Sequence, residues 1–219
     1  MSDENFRQMI EAGNLQGLKG ALASCPELAN QSVVWSLNQK NESDPLHYVC
    51  DCVFNNWLDD ARAAEIVALL IENGALIEGT EGRESPLIAA TSLGTETVAK
   101  LLIDSGANLE ATAVFGARPL HWAALMGLTS TVELLIQCGA ELEVKCMEFG
   151  ATPLYWAVFG FGPHGPNKKT DTVGSAKVLL DAGASVDTTN NQGISAIKCS
   201  QQADSNEMYE LLIRYANES

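Results

Sequence analysis

Basic residues are scarce in this chain: 13 lysines and arginines stand against 28 aspartates and glutamates, a net charge of −15. Phosphate backbones and anionic lipid surfaces repel such a protein, so binding to nucleic acid or to a membrane surface by a basic patch is excluded as an expectation. Long apolar runs are missing, with no stretch near the roughly 18 residues that a membrane helix needs. The opening Met-Ser-Asp-Glu-Asn-Phe is acidic where a signal peptide is basic and then apolar, which predicts an unexported chain. The six cysteines, Cys25, Cys50, Cys52, Cys138, Cys146 and Cys199, include no CxxC pair and sit in helical or apolar text, so packed, reduced thiols in a cytoplasmic protein are expected. Delivery into another cell by a non-classical route is compatible with the same features. Only three histidines are present, and there is no G-x-S-x-G elbow, P-loop or H-E-x-x-H. No catalytic residue, metal site or cofactor is expected. What is abundant is apolar text, at 46% of residues, enough to build a core.

That apolar text is periodic. Pro-Leu recurs at Pro86-Leu87, Pro119-Leu120 and Pro153-Leu154, a period of about 33 residues. An earlier copy, Pro45-Leu46-His47, and a degraded later one, Ser195-Ala196-Ile197, are each set off from the central three by a longer stretch. A second mark, Gly-Ala, keeps the same register at Gly74-Ala75, Gly106-Ala107, Gly139-Ala140 and Gly183-Ala184. Proline favours a first helical position, and glycine just past a helix supplies the left-handed conformation that ends it. The spacing therefore predicts, from Pro119, a short helix stopping at Gly127, a second over Thr129 to Gln137, and an extended turn over Glu141 to Gly150.

The segments Arg118-Pro119-Leu120-His121-Trp122-Ala123-Ala124 and Thr152-Pro153-Leu154-Tyr155-Trp156-Ala157 resemble the ankyrin-repeat signature T-P-L-H-x-A at its usual period. Phe6 to Leu22 is similar to a first helix pair, and Met208 to Tyr215 to a closing helix. The resemblance implies an all-α solenoid of stacked helix-turn-helix units with extended β-turn-like loops. One domain over 1–219 is expected, with units at about 1–41, 42–82, 83–115, 116–149, 150–192 and 193–219, the first and last being degenerate caps. Ser85 and Arg118 replace the usual Thr, Ile88 and Tyr155 the usual His, and Ala196 the Pro of the last unit.

The family is known for recognising other proteins through its turn tips and the inner face of its first helices. The resemblance therefore implies a non-enzymatic interaction module: a scaffold, adaptor or inhibitor. In the central units, apolar residues stand where polar ones are usual. Leu125 and Met126 stand just after Ala123-Ala124 in a first helix, with Phe159 near the corresponding place of the next, while Val114-Phe115, Cys146-Met147 and Phe149 occupy the tips. Phe115, Trp122, Leu125, Met126, Met147, Phe149, Trp156, Phe159 and Phe161 are the candidate partner-binding residues. Two uses stay open: Phe115 and Phe149 staple neighbouring turns, or the set forms an apolar patch large enough to bind a partner. Trp122 and Trp156 are read as mainly core with a share of the groove floor. A monomer or weak homodimer is expected. A second reading makes the chain an acidic shield or inhibitor of a basic protein, because its carboxylates are concentrated in the first half, residues 1–110.

Two insertions lengthen the repeat. The first, Val53 to Asp60, is either a helix extension or a contact loop. The second includes Gly160-Phe161-Gly162-Pro163-His164-Gly165, which matches G-x-G-x-x-G but follows helical text and is broken by prolines, so it is not a dinucleotide fingerprint. It also carries an isolated PxxP and the adjacent pair Lys168 and Lys169. His47 and His121 are expected to bond turn backbone. His47 with Asp51 is a weak metal pair, and Cys50 with Cys52 point to different sides of a helix.

Overall fold

A computed structural model describes residues 3–35, 41–161, 171–202 and 206–218. The chain forms two compact units, Met1–Asn108 and Leu109–Ser219. The second insertion's remaining residues, including His164, the PxxP and Lys168-Lys169, lie outside the described residues.

In the first unit α1 (Asp3–Glu11) and α2 (Leu15–Ser24) are followed by a short antiparallel pair, β1 (Val33–Val34) and β2 (Glu42–Ser43). Then come α3 (Pro45–Phe54), α4 (Asp60–Glu72), α5 (Pro86–Ser92) and α6 (Glu96–Asp104). The second unit holds α7 (Pro119–Met126), α8 (Thr129–Gln137), α9 (Pro153–Phe161), α10 (Thr172–Asp181), α11 (Ala196–Gln202) and α12 (Asn206–Glu218). Each unit thus contains three helix pairs among the described residues.

Both sequence marks have a local cause. Pro45, Pro86, Pro119 and Pro153 each open a helix, where the missing N–H costs no bond. The glycines of the Gly-Ala mark share one left-handed conformation, with φ of +87°, +87°, +93° and +97° at Gly74, Gly106, Gly139 and Gly183. At each, the glycine N–H reaches the carbonyl three positions back and the alanine N–H the one five back, as in Gly139 to Ile136 and Ala140 to Leu135, both 2.9 Å. This Schellman arrangement satisfies carbonyls that a helix end leaves open and aims the following turn the same way each time.

The cores are the apolar stripes of these helices. Leu46, Ile66, Leu70, Leu87 and Leu102 are fully buried in the first unit, and Leu120, Leu135, Leu154 and Leu179 in the second. The first insertion lengthens the helices on either side, with residues 55–59 as the turn between them: α3 has 10 residues where α5 has 7, and α4 has 13 where α6 has 9. Its aromatics Phe54 and Trp57 are exposed.

A carboxylate or amide on one turn holds the next turn throughout both units. In the first, Asn30 Oδ1 accepts the Leu76 N–H at 2.7 Å and Glu78 Oε1 accepts that of Asn108 at 2.7 Å. In the second, Glu110 Oε1 accepts from Glu141 N–H at 3.2 Å, and Glu143 from Ser185 N–H at 2.8 Å and the Thr188 hydroxyl at 2.9 Å. The buried Asp44 takes the Thr80 N–H and hydroxyl at 2.7 Å each and Arg83 Nη1 at 3.1 Å. Asp60 Oδ2 accepts the Thr97 N–H at 2.7 Å. Much of the acidic excess is therefore mortar between repeats.

Candidate functional site

The site lies within the second unit and begins with its turns. Ala113 N–H pairs with Ala117 O at 2.9 Å, Cys146 N–H with Ala151 O at 3.0 Å, and Asn190 N–H with Ile194 O at 3.0 Å, making three short hairpins. Tip is tied to tip by backbone: Glu148 N–H donates to Phe115 O at 3.1 Å, and Asn191 N–H to Phe149 O at 2.9 Å. Phe115 has φ +67°, left-handed for a residue with a Cβ, which the hairpin and the contact to the next tip hold in place.

These turns and the first helices α7 and α9 bring aromatic rings together. Trp122 and Trp156 meet edge to face, centroids 5.0 Å apart at 82°. Phe115 lies 6.5 Å from Trp122 and 5.1 Å from Phe149, and Phe149 lies 6.5 Å from Trp156. With Leu125, Ala151, Tyr155, Phe159, Asn190 and Gln192 they line a cavity of about 360 Å³. Helix α9 approaches α7 closely because Gly160 has no side chain: a Cβ there would collide with the Leu125 carbonyl oxygen. The first glycine of the apparent fingerprint thus serves helix packing.

Polar groups fix the walls. His121 is fully buried; its Nδ1 accepts the Arg118 N–H at 3.2 Å and its Nε2 lies 3.2 Å from the Ala151 carbonyl. These bonds assign the proton to Nε2. Burial drives the imidazole's pKa down to about 4, so the ring is neutral and ties α7 to the next turn. Arg118 uses its guanidinium on Glu110 and Glu141. Tyr155, in the signature's histidine position, accepts a hydrogen bond from Asn190 Nδ2 at 3.1 Å, and burial pushes its hydroxyl pKa well up. The Trp122 indole N–H is buried and finds no acceptor among the described residues.

The candidate residues divide. Phe115, Trp122, Leu125, Phe149, Trp156 and Phe159 come together on the cavity, with Trp156 buried as its floor and Phe149 and Phe159 exposed. The rings of Phe115 and Phe149 touch across adjoining tips, as stapling requires, and also border open space. Met126, Met147 and Phe161 do not line it. Met147 is 82% exposed and packs over Gly116, while Met126 and Phe161 are turned from the cavity by their helical phase. Cys146, read from sequence as part of a tip, is buried, because its hairpin pairing directs the side chain inward. Sequence reading missed Tyr155, Asn190 and Gln192 as lining residues.

Other candidates are simpler. His47 Nε2 lies 3.8 Å from Asp51 Oδ2, and among the described residues its ring makes no hydrogen bond to turn backbone. Among the described residues no group of three or more His, Cys, Asp or Glu side chains is placed to hold a metal ion, and no helix is long and apolar enough to cross a membrane. All six cysteines are free thiols, and burial pushes Cys50 and Cys52 to about 12.

Comparison with known families agrees with this architecture. The family described as Ankyrin repeat matches residues 115–146, the unit that carries α7 and α8. An ankyrin repeat protein of Rickettsia bellii is 34% identical over 90 residues, covering 39% of this chain and 38% of its own. A B-cell lymphoma 3 protein homolog of Mus musculus is 38% identical over 84 residues, 37% of this chain and 18% of its own. Human ankyrin repeat and SOCS box protein 16 is 30% identical over 136 residues, 58% of this chain and 27% of its own. The chain is an ankyrin-repeat protein, with the all-α ankyrin-repeat solenoid fold, a fold whose general use is interaction between proteins rather than catalysis. It spans well under half the length of each of these relatives.

Proposed function

We propose that the chain is a non-catalytic module that binds a protein partner at the aromatic cavity of the second unit, acting as a scaffold, adaptor or inhibitor. The observation that carries this reading is the cavity itself: about 360 Å³, walled by rings, with Phe149 and Phe159 left 44% and 45% exposed beside it. Exposed aromatics around a concavity are the ordinary make-up of an interface centre. The acidic-shield reading has less support, because Asp44, Asp60, Glu78, Glu110 and Glu143 are engaged between repeats. Six free thiols support a reducing, cytoplasmic setting.

The test is selection from a displayed library of unmodified peptides by the wild type, repeated with Leu125→Asp combined with Phe149→Asp. The expected outcome is a set of binders that the double variant loses while its unfolding curve stays cooperative. Binders retained by the folded double variant would move the surface elsewhere. Light scattering of wild type and Phe149→Asp checks self-association: a dimer converted to monomer would assign the cavity face to contact between copies.

A further inference from the structure

The rings of Phe115, Trp122, Trp156 and Phe149 close a circuit whose successive centroids are 6.5, 5.0, 6.5 and 5.1 Å apart. Interplanar angles between 37° and 82° show that the rings are inclined to one another and not stacked. A closed four-sided figure with these sides, planar or folded, has a centre averaging no more than about 4 Å from its corners, inside the ~6 Å over which a cation is attracted to a ring face. All four rings border the open cavity, and none of its lining residues among the described ones is charged. The second unit, which holds the cavity, has 7 basic and 12 acidic residues, a net charge of −5, so its long-range field and the π-systems of the rings favour the same occupant, a cation.

The polar groups decide which cation. A primary ammonium carries three N–H donors that need acceptors. At the rim Asn190 is committed: its Nδ2 donates to the Tyr155 hydroxyl oxygen at 3.1 Å, and its Oδ1 accepts from the N–H groups of Gln192 and Ile194 at 2.9 and 3.0 Å. Among the described lining residues there is no carboxylate and Gln192 supplies one neutral side-chain amide oxygen, so a bare ammonium would enter with most of its three donors unpaired. A trimethylammonium has no donor to satisfy, spreads its charge over methyl groups, and packs them on aromatic faces. Lys145, on the neighbouring turn, has its own ammonium held on the Thr189 carbonyl at 2.7 Å and does not line the opening.

We propose that the cavity is a cage for a quaternary ammonium carried on the partner, the side chain of a trimethylated lysine. This names the partner chemistry of the surface proposed above and rests on that reading. The probe is one short acetylated peptide amide in three forms, with trimethyllysine, with unmodified lysine, and with an uncharged isostere whose tert-butyl group replaces the trimethylammonium. Binding to the full chain is read by tryptophan fluorescence and by peptide NMR line width. The trimethyl form is expected to bind about tenfold more tightly than either of the others. Phe149→Leu keeps apolar bulk but removes one ring face, so it should weaken the trimethyl form about three- to tenfold and leave the isostere unchanged, with the thermal unfolding curve as the control for folding.

An isostere that binds as tightly as the trimethyl form would overturn the cage, since apolar filling would then suffice. Unmodified lysine binding equally well would overturn the quaternary assignment. If no form binds while library-selected peptides still require Leu125 and Phe149, the cage falls and the interaction surface stands; if both experiments fail, both readings fall.

Discussion

His121 makes this protein's stability depend on pH in a calculable way. In the unfolded chain its imidazole titrates near 6.5, and in the folded chain burial lowers that to about 4. Between these values the unfolded state binds a proton that the folded state refuses, so stability is full above the unfolded value and is lost as pH falls toward the folded one. From about pH 7.5 to about pH 5.0 the loss from this group is about 2 kcal/mol. Stopping there keeps the chain above its isoelectric point, near 4.4, where solubility is least. The comparison is with His121→Asn, whose Oδ1 can stand in for Nδ1 as acceptor of the Arg118 N–H but which does not titrate. Asp51 and Glu84, whose carboxyls burial pushes up, titrate in both proteins and cancel in the difference. Urea unfolding of both at each pH gives the difference directly, and NMR of the His121 ring gives its titration. Parallel stability curves, agreeing within about 0.5 kcal/mol over the range, would refute the assignment of a neutral, buried His121.

Asp44→Ala removes the acceptor of three hydrogen bonds at a buried position and leaves Arg83 with Glu42 as its remaining partner; a loss of about 2–4 kcal/mol is expected by chemical denaturation. Gly160→Ala should cost about 1–3 kcal/mol and alter the tryptophan emission, because the added methyl must displace the Leu125 carbonyl under the aromatic cavity. In the native protein the exposed Cys138 should react first with a thiol reagent, and Cys138→Ser should remove that fast phase; Cys50 and Cys52, fully buried, should react only on unfolding.

The helices were legible because their punctuation is local. Proline opens a helix and Gly-Ala closes it through dihedral and hydrogen-bond preferences that need no distant partner, so Pro119–Met126 and Thr129–Gln137 end where the text indicates. The aromatic half of the site was legible for the same reason, since Trp122 and Trp156 share a register. Which neighbours of a helical residue share its face follows from rotation: Leu125 lines the cavity and Met126, about 100° further round, does not. Asn190 and Gln192 were not legible because they reach the cavity from the turn of the following repeat, a full unit beyond Tyr155 in the chain. The carboxylate rungs were missed although a signal existed, with Glu78, Glu110 and Glu143 recurring at the period of the repeat itself. Their acidity adds to the net charge, but its periodicity is the informative part.

Those rungs also bear on how such a chain responds to lengthening and damage. A turn that borrows its acceptor from the preceding repeat has its stability set partly by that neighbour, as coupled elements do in a one-dimensional array. Fraying of the turn at Ser185 and Thr188 leaves Glu143 without its partners but touches nothing at Glu78, so damage is shared with the adjoining repeat and stops there. Each repeat added by duplication would bring its own carboxylate and its own share of negative charge, and the acidity of the molecule would rise with its length.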